Sequence, residues 1–177
     1  MNVIAEITDD MFGLEQIPFN NPKVRYGARG IVKRDDGHIA VFNKKIKNEY
    51  KLPGGGIDEG ETPEEAFERE VLEEAGCEVK DITLLGLVKE LKSKENFQQV
   101  SYVFTSTVTK DTGNVQMTQK EIDEGGLLFW LTPEDALEKI TNCANELKAS
   151  DYDSVYRTKF MNYRDREILK YYIENCK

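Results

Sequence analysis

The sequence predicts one α/β or α+β domain built on a mixed β-sheet, and three observations predict it. Two extended segments, 24–33 and 38–44, flank the turn signal Asp35-Asp36-Gly37. A helix with a well-marked start follows at Thr62-Pro63. A short apolar run, LLFWL at 127–131, then leads into a second helix opened in the same way by Thr132-Pro133. Strands and helices interleave, so helices must cover a sheet. The chain's 177 residues fit one domain with a small appendage. Residues 1–23 are expected to be an N-terminal arm, 24–148 the domain proper, and 149–177 a C-terminal helix packed on it.

The arm has weak periodicity and two prolines, Pro18 and Pro22, and leaves room for one short strand at residues 2–7. Tyr50 and Leu52 alternate into Pro53, after which Gly54-Gly55-Gly56 is expected to break regular structure. In the first helix Thr62 is the N-cap, Pro63 the first helical residue and Glu65 the capping-box partner. Gly76 stops it after Ala75. Residues 82–91 are rich in β-formers, and 98–109 alternate cleanly between apolar and polar positions. Residues 111–126 read as a polar loop with room for one helical turn. LLFWL is short enough for a buried strand. The second helix should run to about Leu147, and residues 154–176 form the last one.

Composition excludes several chemistries. The only histidine, His38, beside the hairpin turn, rules out zinc sites built on several histidines and makes a histidine triad a poor choice. Three widely spaced cysteines, Cys77, Cys143 and Cys176, do not make a disulfide framework. With an acidic N-terminus lacking a signal-peptide pattern, they fit a cytoplasmic protein. No apolar run reaches the roughly 20 residues of a membrane helix. The net charge of −9 argues against nucleic acid and anionic membrane as partners.

That charge is segregated. Residues 23–51 hold nine bases and three acids, whereas residues 58–78 hold ten acids and one base, Arg69. Charge runs usually mark solvated faces. Side by side, these two suit a site that takes phosphates on one side and cations on the other. Glu70, Glu73 and Glu74 share a helix face by their spacings of three and four. Three like charges so placed call for a counter-charge. Mg²⁺ or Mn²⁺, which prefer carboxylate oxygens, would supply it. Glu61 could reach the same ion or favour the helix N-terminus by its charge. Arg69 could pair with Glu73 or Glu65, orienting and neutralising carboxylates.

The segment GGIDEGETPEEAFEREVLEEAGC resembles the Nudix box of the Nudix (MutT-type) hydrolases, G-x5-E-x7-R-E-U-x-E-E-x-G-U, with U a bulky aliphatic residue. Gly55, Glu61, Arg69, Glu70, Val71, Glu73, Glu74 and Gly76 match, and Cys77 takes the final aliphatic position. The approach YKLPGG and the late LLFWL strand with its capped helix extend the likeness over about residues 24–148. The resemblance implies an α/β/α sandwich with a central mixed sheet. It also implies a metal-dependent pyrophosphohydrolase that cleaves a nucleoside diphosphate linked to another group, such as a nucleoside triphosphate or a nucleotide sugar or ADP-ribose.

On that resemblance the metal ligands are Glu70, Glu73, Glu74, Glu61 and Gly55, and the catalytic group is Glu70, Arg69, Glu73 and Glu124. Glu70 is the favoured base; a loop acid, Glu121 or Glu124, is the other candidate. Arg25 and Arg29 share one strand face and should bind phosphates. Tyr26 and Tyr50, with Trp130 as a third choice, are offered for base stacking. No proline lies between Pro63 and Pro133, which weakens an ADP-ribose reading. Two alternatives remain: a non-catalytic nucleotide-binding regulatory module, and an isopentenyl diphosphate isomerase using Cys77. The substrate, the phosphorus attacked and the oligomeric state, a homodimer included, are left open.

Overall fold

In the computed structural model, which describes residues 1–176, eight strands among the described residues form one mixed sheet. The strands are β1 (Val3–Thr8), β2 (Lys23–Lys33), β3 (Ile39–Lys44), β4 (Glu49–Lys51), β5 (Gly54–Gly56), β6 (Cys77–Lys92), β7 (Phe97–Asp111) and β8 (Gly126–Leu131). The helices are α1 (Pro63–Ala75), α2 (Gln119–Asp123), α3 (Pro133–Cys143) and α4 (Val155–Asn175). The sheet order is β1-β6-β7-β2-β3-β4, with β5 also paired to β2 and β8 to β3. The β1/β6 and β2/β7 pairs are parallel and the others antiparallel.

Strand alternation divides the interior into two cores. Ala28, Val32, Ala40 and Phe104 face α1, where Phe67 and Val71 meet them. Ile31, Ile39, Val41, Val88 and Val103 face the other way, against Ile140 of α3 and Phe160, Ile168 and Leu169 of α4. The result is the α/β/α sandwich. Arg25, Gly27 and Arg29 share the parity of Ile31 in β2, which turns them to the α4 side.

Helix α1 forms as its sequence dictates. The Thr62 hydroxyl accepts from the Glu65 N–H, and the Glu65 carboxylate accepts from the Thr62 N–H and hydroxyl. Gly76 closes the helix with φ of 63°, a conformation that disfavours any Cβ.

Some elements differ from expectation. Gly54–Gly56 does not break the sheet; it pairs antiparallel with Gly27–Arg29 as β5. Strand β6 starts at Cys77, five residues before the apolar pattern begins, because register shifts along its pairing with β7 reset the alternation. Strand β8 is half-exposed. It pairs with β3 alone, leaving Leu127 50% and Phe129 37% accessible while Leu128 and Trp130 pack inward. Helix α3 ends at Cys143, although Leu147 beyond it is still buried. Within 1–23, the short strand joins the sheet edge beside β6 and buries Ile7. No helix among the described residues is long and apolar enough to cross a membrane.

Candidate active site

Arg69 is the hub on the α1 side. Its Nε and Nη2 donate to the two Glu61 carboxylate oxygens at 2.7 and 3.0 Å. Nη1 donates to Glu70 at 2.8 Å and, more weakly, to Glu73 at 3.4 Å, and Nη2 also reaches the Gly56 carbonyl at 3.0 Å. The hydrogen bonds from Arg69, with one from the Asp58 N–H, hold the Glu61 carboxyl down at about 2. The same bonds to Glu61 and Glu70 raise the Arg69 guanidinium above its ordinary range. Glu65 is engaged at the cap and plays no part in this network.

Glu74 points the other way and is buried. It accepts from the Lys51 ammonium at 2.5 Å and from the Gly54 N–H at 2.8 Å. Burial pushes its carboxyl up, and the pull of Lys51 and Gly54 only partly offsets that. Burial would lower the Lys51 ammonium, but Glu74 and Glu121 outweigh it and the pKa is raised. Glu121 sits 3.8 Å from the same ammonium, fixed by its capping bonds to Thr118 at the start of α2. Glu70 lies over Gly55 so closely that a Cβ there would collide with both of its carboxylate oxygens.

Glu70, Glu74, Glu121, Gly55, Arg25 and Arg29 all line one cavity of about 300 Å³. A larger one of about 560 Å³ opens beside it and shares Arg25, Arg29, Gly55 and Arg164 as walls. The exposed Arg25 guanidinium lies against Gly56. Arg29 is buried, 3.7 Å from Asp165.

Other expected site residues lie elsewhere. Glu73 and Glu61 line neither cavity. Glu124 is buried on the Lys44 ammonium at 2.7 Å and the Ser150 hydroxyl at 2.6 Å, so the loop acid brought to the cavity is Glu121. Tyr26 follows Arg25 by one residue and therefore points to the opposite sheet face, half-exposed. Tyr50 is likewise turned away from its neighbour Lys51, toward Phe129 and the α3/α4 core. Trp130 stacks under Arg34, its ring centre 3.6 Å from the guanidinium carbon. His38 is a half-exposed strand end beside Asp36. Cys77 is buried in the α1 core with its thiol pushed up to about 11 by burial, and it lines neither cavity.

Sequence reasoning missed Lys51 and the charged residues of α4. A signal existed for the latter. Phe160, Arg164 and Ile168 are spaced by four, as are Asp165 and Leu169, so the charged pair interrupts an apolar stripe.

The family model of the NUDIX domain matches residues 23–172. The chain belongs to the Nudix family. A MutT-like protein of Streptomyces ambofaciens is 32% identical over 111 residues, 63% of this Nudix chain and 66% of that protein. Diphosphoinositol polyphosphate phosphohydrolase 3-alpha of Mus musculus is 30% identical over 117 residues, 66% of this chain and 67% of its own. An RNA pyrophosphohydrolase of a Sulfurovum species is 56% identical over 41 residues, 23% of this chain and 25% of that one. The chain thus spans about two thirds of the first two relatives and a quarter of the third. A NUDIX hydrolase from Nitrosomonas europaea shares the fold, with a TM-score of 0.55 and 16% identity, covering 80% of this chain and 88% of its own.

Proposed function

We propose that this Nudix protein is a divalent-metal-dependent pyrophosphohydrolase, cleaving the phosphoric anhydride of a nucleoside diphosphate linked to a second group. The observation that carries this reading is the shared cavity in which Glu70, Glu74 and Glu121 face Arg25 and Arg29. Hydrolysis of an anhydride must bring water to a polyanion, which requires charge neutralisation on one side and phosphate binding on the other.

Mg²⁺ or Mn²⁺ fits this donor set. Carboxylate oxygens are the ligands both ions prefer, and Glu70, Glu74 and Glu121 line one cavity. Glu74 and Glu121 would hold the ion, which in Mg²⁺ sites commonly takes only one or two carboxylates beside substrate phosphates and water. When bound, it neutralises phosphate oxygens and lowers the pKa of water. The chain's own residues do the rest. Arg69 keeps Glu70 aimed and Glu61 locked. Glu70, open to the cavity, takes the proton of the attacking water. Arg25 and Arg29 hold phosphate oxygens, for which guanidinium geometry is suited.

One observation favours a second reading, a nucleotide-binding module without turnover. Among the described residues no group of three Asp, Glu, His or Cys side chains is arranged to hold an ion. Lys51 stands against Glu74 as its cation.

A panel of nucleoside triphosphates, nucleotide sugars and dinucleotides, incubated with Mg²⁺ or Mn²⁺ in ¹⁸O-labelled water, separates the two. The expected result is metal-dependent cleavage that chelator abolishes, with the label in one product phosphate. Nucleotide binding with no cleavage of any panel member would establish the second reading.

A further inference from the structure

The larger cavity is basic out of proportion to the chain. Six of its lining residues are Lys or Arg and two are acidic, in a protein of net charge −9. Both acids are already engaged. Glu95 accepts from Arg157 at 2.8 Å, and Asp153 accepts from Lys47 at 3.1 Å and Lys120 at 2.8 Å. Lys23 and Arg25 make no ion pair among the described residues.

The inner wall adds a second observation. Arg29, Arg164 and Lys92 are each at least nine-tenths buried, and two carboxylates, Glu90 and Asp165, answer all three. Arg164 donates to Asp165 at 2.7 Å and to Glu90 at 3.0 Å, and Lys92 donates to Glu90 at 2.7 Å. That leaves one buried positive charge in excess. The deficit falls on Arg29, whose buried Nε and Nη1 have no hydrogen-bond partner and which lines both cavities. Burial and the nearby Arg164 lower its guanidinium pKa. A buried guanidinium with two unmet donors is costly unless an anion completes it.

The lining gives little to a nucleobase. Phe97 is the only aromatic residue in it, and the Lys92 ammonium sits 5.5 Å from its ring centre. The remaining large apolar side chain is Met161. At about 560 Å³ the space is of small-ligand size.

We propose that this cavity receives a compact, multiply phosphorylated group, a sugar- or polyol-like moiety bearing two or more phosphates, with Arg29 completing its buried end and Arg25 and Lys23 at its mouth. Combined with the pyrophosphohydrolase reading, on which this assignment of a substrate end rests, the polyphosphorylated end enters the basic cavity. The scissile anhydride then lies over Gly55, between that end and the carboxylates. The nucleoside end stays outside at the rim.

The test is titration calorimetry at physiological salt without divalent metal. The probes are inositol hexakisphosphate, which has no anhydride to cleave, adenosine monophosphate and inorganic phosphate. The hexakisphosphate should bind at least about a hundredfold tighter than either comparator, with an affinity that falls steeply as salt rises. Arg25→Gln and Lys23→Gln, both at exposed positions, should each weaken it about tenfold, and Arg29→Met should weaken it more. Should Arg29→Met fail to fold, the two exposed variants carry the result.

Hexakisphosphate binding no tighter than inorganic phosphate would overturn the proposal. So would tight binding indifferent to both exposed substitutions, or adenosine monophosphate as the strongest ligand. Tight hexakisphosphate binding with no cleavage in the nucleotide panel would sink the pyrophosphohydrolase reading and leave this site standing. Panel cleavage without hexakisphosphate binding would do the reverse.

Discussion

The two sides of the sheet both carry networks of arginine and carboxylate, assembled in opposite ways. On the α1 side Arg69 meets Glu61, Glu70 and Glu73, all from one turn-and-helix segment, and its side chain is 28% exposed. On the α4 side Arg164 meets its neighbour Asp165 and also Glu90, 74 residues away, and its side chain is 3% exposed. Partly exposed pairs contribute less to stability than buried ones, so the α1 network is freer to aim carboxylates. Buried charges are expensive to break, so the α4 network holds the molecule together. Asp165 makes this concrete. It also accepts from the Leu52 N–H at 2.9 Å, tying the last helix to the strand that leads into the glycine bend.

This contrast can be broken most directly at Asp165. Asp165→Ala leaves Arg29 and Arg164 short of a carboxylate, and urea denaturation should show a loss of about 3–5 kcal/mol. A loss near zero would remove the α4 network from the stability account. The next largest effect is acid sensitivity. Burial would raise the Glu90 carboxyl, but Arg164 and Lys92 hold it at about 2. Its stabilisation is therefore complete above the ordinary glutamate range near 4.5 and fades as pH falls toward 2, amounting to about 3 kcal/mol. Urea melts from pH 7 to pH 3 should show that slope, and Glu90→Gln should flatten it.

On the α1 side the readout should be turnover. Glu74→Gln should cut kcat by about a hundredfold under conditions where the protein stays folded. Glu73→Gln, outside both cavities, should change it by no more than about threefold, and equal losses at the two would show that cavity placement does not sort these acids. The smallest effect lies at the helix start. Thr62→Ala removes the cap and should lower stability by about 1 kcal/mol in the same melts, with kcat little changed.

Legibility followed the same division. The start and stop of α1 and the weak Arg69–Glu73 contact were readable because capping, helical period and charge spacing act over a few residues, whereas the closer Arg69 partners, Glu61 and Glu70, came from the fold. Arg25 and Arg29 were placed on one face by strand parity alone. Tyr26 and Tyr50 line neither cavity for the same reason in reverse, since each lies one residue from a cavity residue and so points away. Choosing Glu121 over Glu124 required knowing which of two nearby loop acids the α2 cap would turn toward Lys51.

The sequence by itself determined the capped starts of α1 and α3, the stop of α1 at Gly76 and the mixed-sheet class, because each follows from local geometry and periodicity. Tertiary structure alone decided that Lys51 would stand against Glu74. It also decided that β2, β6 and α4 would bring Arg29 and Arg164 to one cavity wall with Glu90 and Asp165 against them. Those contacts join residues far apart in the chain, and only the pairing of strands and the docking of the last helix bring their charges within range of one another.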